Sequence, residues 1–305
     1  MKTLLLIDTF NFLHRAYHAL PKTFTDKEGE PINAVYGVAS MLITMLDKVK
    51  PDYVIAALDS KAPTFRVGDF TAYKAQRKPM DTELAAQIPK VIEILESFGI
   101  KMIQVDGYEA DDLIGTTALK YSDECKIIIV SNDRDLWQLT NGNISIGVPS
   151  GKGFIEWIDG KEAEERLGFA PNKIADYKGL RGDPSDNIPG VFGIGEKTAA
   201  KLIQEYGSIE EIYRNIDKIK PDTLREKLLN CAETAMMSKK LAQIILDVPM
   251  QIELDECRYL EFNYGRVKEV FEKYNFKSLL KRLGFIPQEE NRKKEEVSKD
   301  QLSLF

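Results

Sequence analysis

Soft metal ligands are scarce in this chain: its 305 residues include three cysteines and two histidines. Cys125, Cys231 and Cys257 stand far apart, which excludes a disulfide framework and the closely spaced thiols of a zinc knuckle. They read as reduced packing residues. Long apolar runs are missing too. No stretch approaches the roughly 20 apolar residues of a membrane span, and LLLI near the start is too short for a signal-peptide core. A cytoplasmic protein is the expectation. Glycine and proline are spread along the chain instead of clustering, so length and composition fit one large domain with a smaller lobe.

Carboxylates, by contrast, fall at particular places. Asp8 ends the apolar run LLLID, Asp59 ends YVIAALD, and Asp133 and Asp135 close KIIIVSNDRD. Glu109, Asp111 and Asp112 form a trio in DGYEADDLIG, and Asp183 and Asp186 a pair in RGDPSDN. Residues at the carboxyl ends of neighbouring parallel strands gather in one crevice, where open α/β sheets bind ligands. Acids brought together in this way raise one another's pKa and repel unless a countercharge is present. A divalent cation supplies it, and all-oxygen ligation favours magnesium or manganese over zinc. The net charge of −6 conceals the balance elsewhere, because setting these nine carboxylates aside leaves +3. Local basic segments are therefore free to meet phosphate.

The elements alternate. TLLLID reads as a strand, NFLHRAYHAL and NAVYGVASMLITMLDKV as helices, and YVIAALD as the next strand. A helix at about 83 to 98, the strand KMIQV, a helix opened by EADDLIGTTAL, the strand KIIIV and a short helix DLWQL follow, which predicts an α/β fold with a mostly parallel sheet. Trp137 in the last of these is expected in the core. Residues 60–82 lose periodicity and mix proline, aromatics and basic residues, as a long functional loop or lid does. Beyond about residue 158 helical patterns dominate, from KEAEERLG to SLLKRLGF.

The segment RGDPSDNIPGVFGIGEKTAAKLI sets a glycine-rich turn before a helix start, a natural phosphate site. A nucleotide P-loop needs lysine directly after the last glycine, and Glu196 separates Gly195 from Lys197. A helix-hairpin-helix fits better, with Gly190, Gly193, Gly195, Lys197 and Thr198 as its DNA-binding positions. Such a unit holds a DNA backbone through main-chain amides without reading sequence.

LLLIDTFNFLHRAYHAL, ALDSKAPTFR, AYKAQR, DGYEADDLIG, SNDRDLWQL and GDPSDNIPGVFGIGEKTA occur in one order between about Thr3 and Phe285. Through them the chain resembles the 5′-nuclease (flap endonuclease) family, specifically the 5′→3′ exonuclease domain of bacterial DNA polymerase I. The resemblance implies a PIN-like core over 1–158 with a helical arch at about 60–82, then a DNA-binding lobe over 159–285 built on a helix-three-turn-helix. It implies that Asp8, Asp59, Glu109, Asp111 and Asp112 hold a first metal, and that Asp133, Asp135, Asp183 and Asp186 serve a second, some through water. Main-chain carbonyls of Leu180, Arg181, Pro189, Val191 and Ile194 correspond to the family's potassium site. In the arch, Lys74 and Arg77 would steer and neutralise the scissile phosphate with help from Arg15 and Arg66, and Tyr73 would stack on a displaced base. Thr9 after Asp8 and RVGDF in the arch depart from common family sequences. His14 and His18 lie four apart on one helix face beside Arg15, and helix packing or DNA contact suits them better than a metal pair.

After Phe285, residues 286–300 are charged and poor in apolar side chains, the composition of a disordered tether. QLSLF at 301–305 resembles the bacterial sliding-clamp-binding motif, with Gln301 as anchor and Leu302, Leu304 and Phe305 for apolar pockets. Tethering of that kind raises local concentration without adding DNA contacts. The expectation is a stand-alone, monomeric, magnesium-dependent 5′ nuclease that removes RNA primers and 5′ flaps by two-metal hydrolysis. Two rivals remain open, a clamp-associated DNA-binding adaptor and a PIN-type ribonuclease.

Overall fold

The computed structural model describes residues 1–150, 154–259 and 262–285. The tether at 286–300 and Gln301, Leu302, Leu304 and Phe305 lie outside them. A six-stranded sheet forms the centre, from β1 (Lys2–Asp8), β2 (Tyr53–Ala57), β3 (Lys101–Ile103), β4 (Cys125–Val130), β5 (Ile144–Ser150) and β6 (Phe154–Ile158), in the order β3-β2-β1-β4-β5-β6. All neighbours are parallel except β6, which runs antiparallel along β5. β5 and β6 are additions to the sequence reading.

The LLLI run of β1 is continuously apolar because both faces of the strand are covered. Leu4 and Leu6 face a cluster containing Leu113, Ile114 and Ala118 of α6 (Ala110–Tyr121). Leu5 and Ile7 face the opposite cluster, built from α1 (Thr9–Ala19), α2 (Asn33–Val49) and α5 (Ile88–Ser97). In chain order α3 (Phe65–Asp69) and α4 (Thr82–Ala85) come between β2 and α5, so the segment at 60–82 holds one short helix and a run of turns. Trp137 is buried, as expected.

The smaller lobe contains α7 (Gly160–Leu167), α8 (Ile174–Arg181), α9 (Glu196–Tyr206), α10 (Ile209–Arg214), α11 (Asp222–Asn230) and α12 (Ala232–Ala242). The two helices after it, α13 (Tyr264–Lys273) and α14 (Lys277–Arg282), do not belong to that lobe by packing. Val267, Val270, Phe271, Leu279 and Leu280 join the cluster under α2 and α5. On the way back, Lys120 Nζ and Tyr121 Oη each donate to Ile252 O, and Tyr259 N donates to Asp52 O. Residues 264–285, assigned to the lobe by their helical pattern, therefore pack as part of the sheet layer.

Candidate active site

β1 and β2 run side by side, and the chain crosses from one side of β1 to the other before β4. That reversal of strand order opens a crevice at the carboxyl ends. Asp8 ends β1, Asp59 stands just past β2, Asp133 just past β4, and Glu109 and Asp111 flank the start of α6. With Asp135 and Asp186 they line one cavity of about 700 Å³, together with Lys74, Arg77, Asn11 and His14. Seven of the nine predicted carboxylates share this cavity. Asp183 stands at its edge: carboxylate oxygens of Asp135, Asp183 and Asp186 lie within 4.8 Å of one another.

Local structure fixes several of these groups. Asp8 caps α1, accepting from Asn11 N at 3.1 Å, while its other oxygen accepts from Ser131 Oγ at 2.9 Å. Asp59 accepts from Ala110 N at 2.8 Å, tying the end of β2 to the start of α6. Burial pushes the Asp8 carboxyl up to about 7 despite those hydrogen bonds, with Asp59 and Asp133 adding like-charge repulsion. Burial likewise holds Asp111 well above the usual carboxylate range, reinforced by Asp133, Asp8 and Glu109. This donor set suits hard divalent cations, which accept several carboxylate oxygens and relieve their repulsion.

The hairpin side is compensated differently. Lys178 Nζ on α8 bridges Asp135 and Asp183. Burial raises Asp183, but the Lys178 and Ser185 hydrogen bonds outweigh it and bring the carboxyl down to about 2. Asp135 is pushed up to about 6 by burial, with Lys178 opposing. Lys178 was not singled out from sequence. Its place five residues before Asp183, at the end of a helix leading into RGDPSDN, was the available signal.

The segment at 60–82 docks over the cavity. Lys74 Nζ lies 2.9 Å from Glu109 and 3.9 Å from Asp186, and Arg77 pairs with Asp186. Lys74 N donates to Asp186 O at 2.9 Å and Asn187 Nδ2 to Ala72 O at 2.7 Å. Burial opposes the Lys74 charge, but Glu109 and Asp186 keep its pKa above the ordinary value. Arg15 does not line the cavity, whereas exposed His14, one position earlier on α1, does. Burial, then His18, lowers the His14 pKa.

Four sequence-based assignments need correction. Asp112 is fully buried outside the cavity, in a bidentate pair with Arg66 at 2.7 and 2.8 Å, and also accepts from Ile245 N and Glu109 N. Its lone pairs are committed, so it braces the site instead of holding metal. Arg66 touches the cavity wall, 3.6 Å from Glu109, but four of its donors are spent on Asp112, Leu241 O and Gln243 O, so its main part is to hold Asp112. Tyr73 lines the cavity but is buried, with its hydroxyl on Glu109 and Asp186 and Lys74 Nζ 4.9 Å from its ring centroid, an arrangement of packing and not of an exposed stacking platform. Gly190 is buried and its N–H donates to Ser238 Oγ at 3.1 Å. It shapes the hairpin: at φ 65°, a Cβ there would meet Gly182 N at 2.2 Å.

Gly193, Gly195 and Lys197 are exposed and Thr198 half-buried at the start of α9, whose cap residue Gly195 offers no side-chain acceptor. The 180–182 and 189–191 segments are in contact, with Val191 N donating to Leu180 O at 2.8 Å. Residues 3–168 match the family model described as 5′-3′ exonuclease, N-terminal resolvase-like domain, and residues 169–265 match 5′-3′ exonuclease, C-terminal SAM fold. The chain belongs to the 5′-3′ exonuclease family. It is thereby an enzyme of the nuclease class. Within the family it is 42% identical over 286 residues to DNA polymerase I of Caldicellulosiruptor bescii, covering 92% of this chain and 33% of that protein. DNA polymerase I of Bacillus subtilis is 39% identical over 286 residues, covering 93% of this chain and 32% of that protein. The chain thus spans about a third of the length of these relatives.

Among solved structures, the T5 5′-exonuclease with bound divalent zinc ions matches at TM-score 0.66 and 19% identity, over 90% of this chain and 100% of that one. The catalytic core of Rad2 in complex with DNA substrate matches at TM-score 0.56 and 18% identity, over 90% and 87% of the two chains. At those identities the likeness is one of fold, and it carries the PIN-like sheet and the helical lobe of the 5′-3′ exonucleases.

Proposed function

We propose that the protein is a 5′→3′ exonuclease and structure-specific 5′ flap endonuclease, acting on DNA and RNA primers in lagging-strand maturation and repair by two-metal phosphodiester hydrolysis. The observation that carries this is the convergence of Asp8, Asp59, Glu109, Asp111, Asp133, Asp135 and Asp186 on one cavity faced by Lys74 and Arg77. Asp8, Asp59, Glu109 and Asp111 would hold one Mg²⁺ or Mn²⁺, and Asp133, Asp135, Asp183 and Asp186 a second. Bound divalent ions supply an acidified water and Lewis-acid stabilisation of phosphate charge. The protein's own part is to aim that chemistry. Lys74 and Arg77, already held at the cavity by Glu109 and Asp186, would pass their charge to an entering phosphate and stabilise the more negative transition state.

The nuclease core proposed at 1–158 would receive the scissile strand, while the lobe from 159 grips the duplex through its hairpin amides. Potassium on the carbonyls of Leu180, Arg181, Pro189, Val191 and Ile194 would stiffen that hairpin, and QLSLF would recruit the protein to a sliding clamp. A monomer in the cytoplasm fits this role; among the described residues no helix is long and apolar enough to cross a membrane. The T5 flap endonuclease, whose solved complex holds DNA and metal ions, supports the substrate class by fold.

The test is a 5′-labelled double-flap DNA incubated with Mg²⁺ beside an Asp111→Ala control. Cleavage near the flap base that vanishes in the variant supports the reading. Tight binding without cleavage would transfer the assignment to a DNA-binding adaptor, and preference for single-stranded RNA to a PIN-type ribonuclease.

A further inference from the structure

Phe192 is 87% exposed, more than any other large apolar side chain among the described residues. An isolated exposed apolar group is ordinary, but this one is aimed outward by its neighbours. Val191 and Ile194 are buried at 2% and 4% exposure on either side of it. Val191 N donates to Leu180 O and Ile194 N to Val191 O, closing the turn. Gly190 and Gly193 adopt φ of 65° and 78°, which L-residues with side chains rarely tolerate. A turn anchored at both shoulders holds one aromatic ring in water.

The surroundings indicate what meets it. Lys227 lies against Gly193, donating to its carbonyl oxygen at 3.2 Å. Lys197 and Lys201 are exposed one helical turn apart on α9, and Arg181 is exposed at the end of α8, against a single acid at Glu196 on the first turn of α9. The first N–H groups of α9, beginning four residues after Phe192, have no side-chain cap. An apolar ring set among cations and free amides matches a nucleic-acid backbone, where phosphates alternate with apolar sugar faces.

We propose that Phe192 is a duplex-binding residue that packs against the deoxyribose faces between the phosphates held by the hairpin. This rests on the proposed DNA-directed activity and adds a contact of a different physical kind. Phosphate contacts release counterions, so their loss flattens the dependence of log K on log salt by about one for each. A sugar-packing contact does not. Phe192→Ala should therefore weaken binding of full-length protein to double-flap DNA about 10-fold at every salt concentration, with the slope unchanged. Lys197→Ala should weaken binding chiefly at low salt and reduce the slope. Phe192→Leu should restore most of the loss, and in cleavage the alanine variant should raise KM with kcat retained.

Equal affinity of Phe192→Ala and wild type, or a changed salt slope, would overturn the proposal, with thermal unfolding confirming that both proteins are folded. Those results leave the nuclease reading intact so long as wild type cuts the flap. Failure of wild type to bind or cut it would instead remove the reading beneath.

Discussion

The acidic cavity has two sides that handle the same chemical problem in opposite ways. On the strand side, buried Asp8 and half-buried Asp111 sit among other carboxylates and form no ion pair among the described residues, and both are pushed toward the neutral form, with Lys74 only partly opposing the shift of Asp111. On the hairpin side, Lys178 bridges Asp135 and Asp183, and Asp183 is held down at about 2. One side keeps repulsion that Lys74 only partly relieves, while the other carries its own bridging countercharge. The comparison separates residues of one type by what they need: ionised acids in a shared site demand charge, and acids in a built-in pair already have it.

The largest expected effect tests the strand side. Asp111→Asn should reduce single-turnover cleavage by about 10³-fold, the order that several kcal/mol of metal-assisted stabilisation represents. A loss within tenfold would detach these acids from metal binding. Arg66→Met addresses the buried pair with Asp112, which ties the start of α6 to the chain after α12. Leaving Asp112 charged and unpaired should cost about 3–5 kcal/mol in urea unfolding, against about 1 kcal/mol or less for half-exposed Arg77→Met. Comparable losses in the two would make Arg66 dispensable as a brace.

Asp8 gives a smaller, pH-dependent signature in metal-free protein. Its pKa is raised on folding, so its contribution to stability is fully present below about pH 4 and disappears as pH climbs through about 7. Asp8→Asn keeps the neutral form and the cap acceptor, so the variant should gain on wild type as pH rises, levelling above pH 7 at on the order of 2 kcal/mol. A pH-independent difference would place the repulsion elsewhere. Smallest is the effect on Asp183, whose lowered pKa contributes stability above about pH 4 that fades as pH falls through about 2. In Lys178→Met that acid limb should flatten by about 1 kcal/mol, and an unchanged limb would mean that Ser185 alone holds the carboxylate.

The strand-end acids were legible because LLLID, YVIAALD and KIIIVSNDRD each couple a buried strand to the residue just past it. Pattern does not reveal whom a charge faces. Arg66 and Tyr73 reach the cavity wall, yet Arg66 pairs with Asp112 behind it and the Tyr73 hydroxyl bonds Glu109 and Asp186, so their polar groups are spent on protein. Lys178 escaped notice because its partners, Asp135 and Asp183, meet it through the packing of α8 on the turn after β4. β5 and β6 were missed since glycine and proline interrupt ISIGVPS and the edge strand FIEWI is largely exposed. Helical periodicity in α13 and α14 announced helices correctly, but periodicity carries no address.

The return of those two helices to the sheet layer also makes the helical lobe an excursion with two roots. The chain leaves the sheet after β6 and comes back past α6 and Asp52 to finish under α2 and α5. A body joined by one root can swing, whereas one joined by two resists any tilt that would stretch one root while slackening the other. The offset between hairpin and cavity is therefore ruled off by the architecture, like a gauge clamped at both ends.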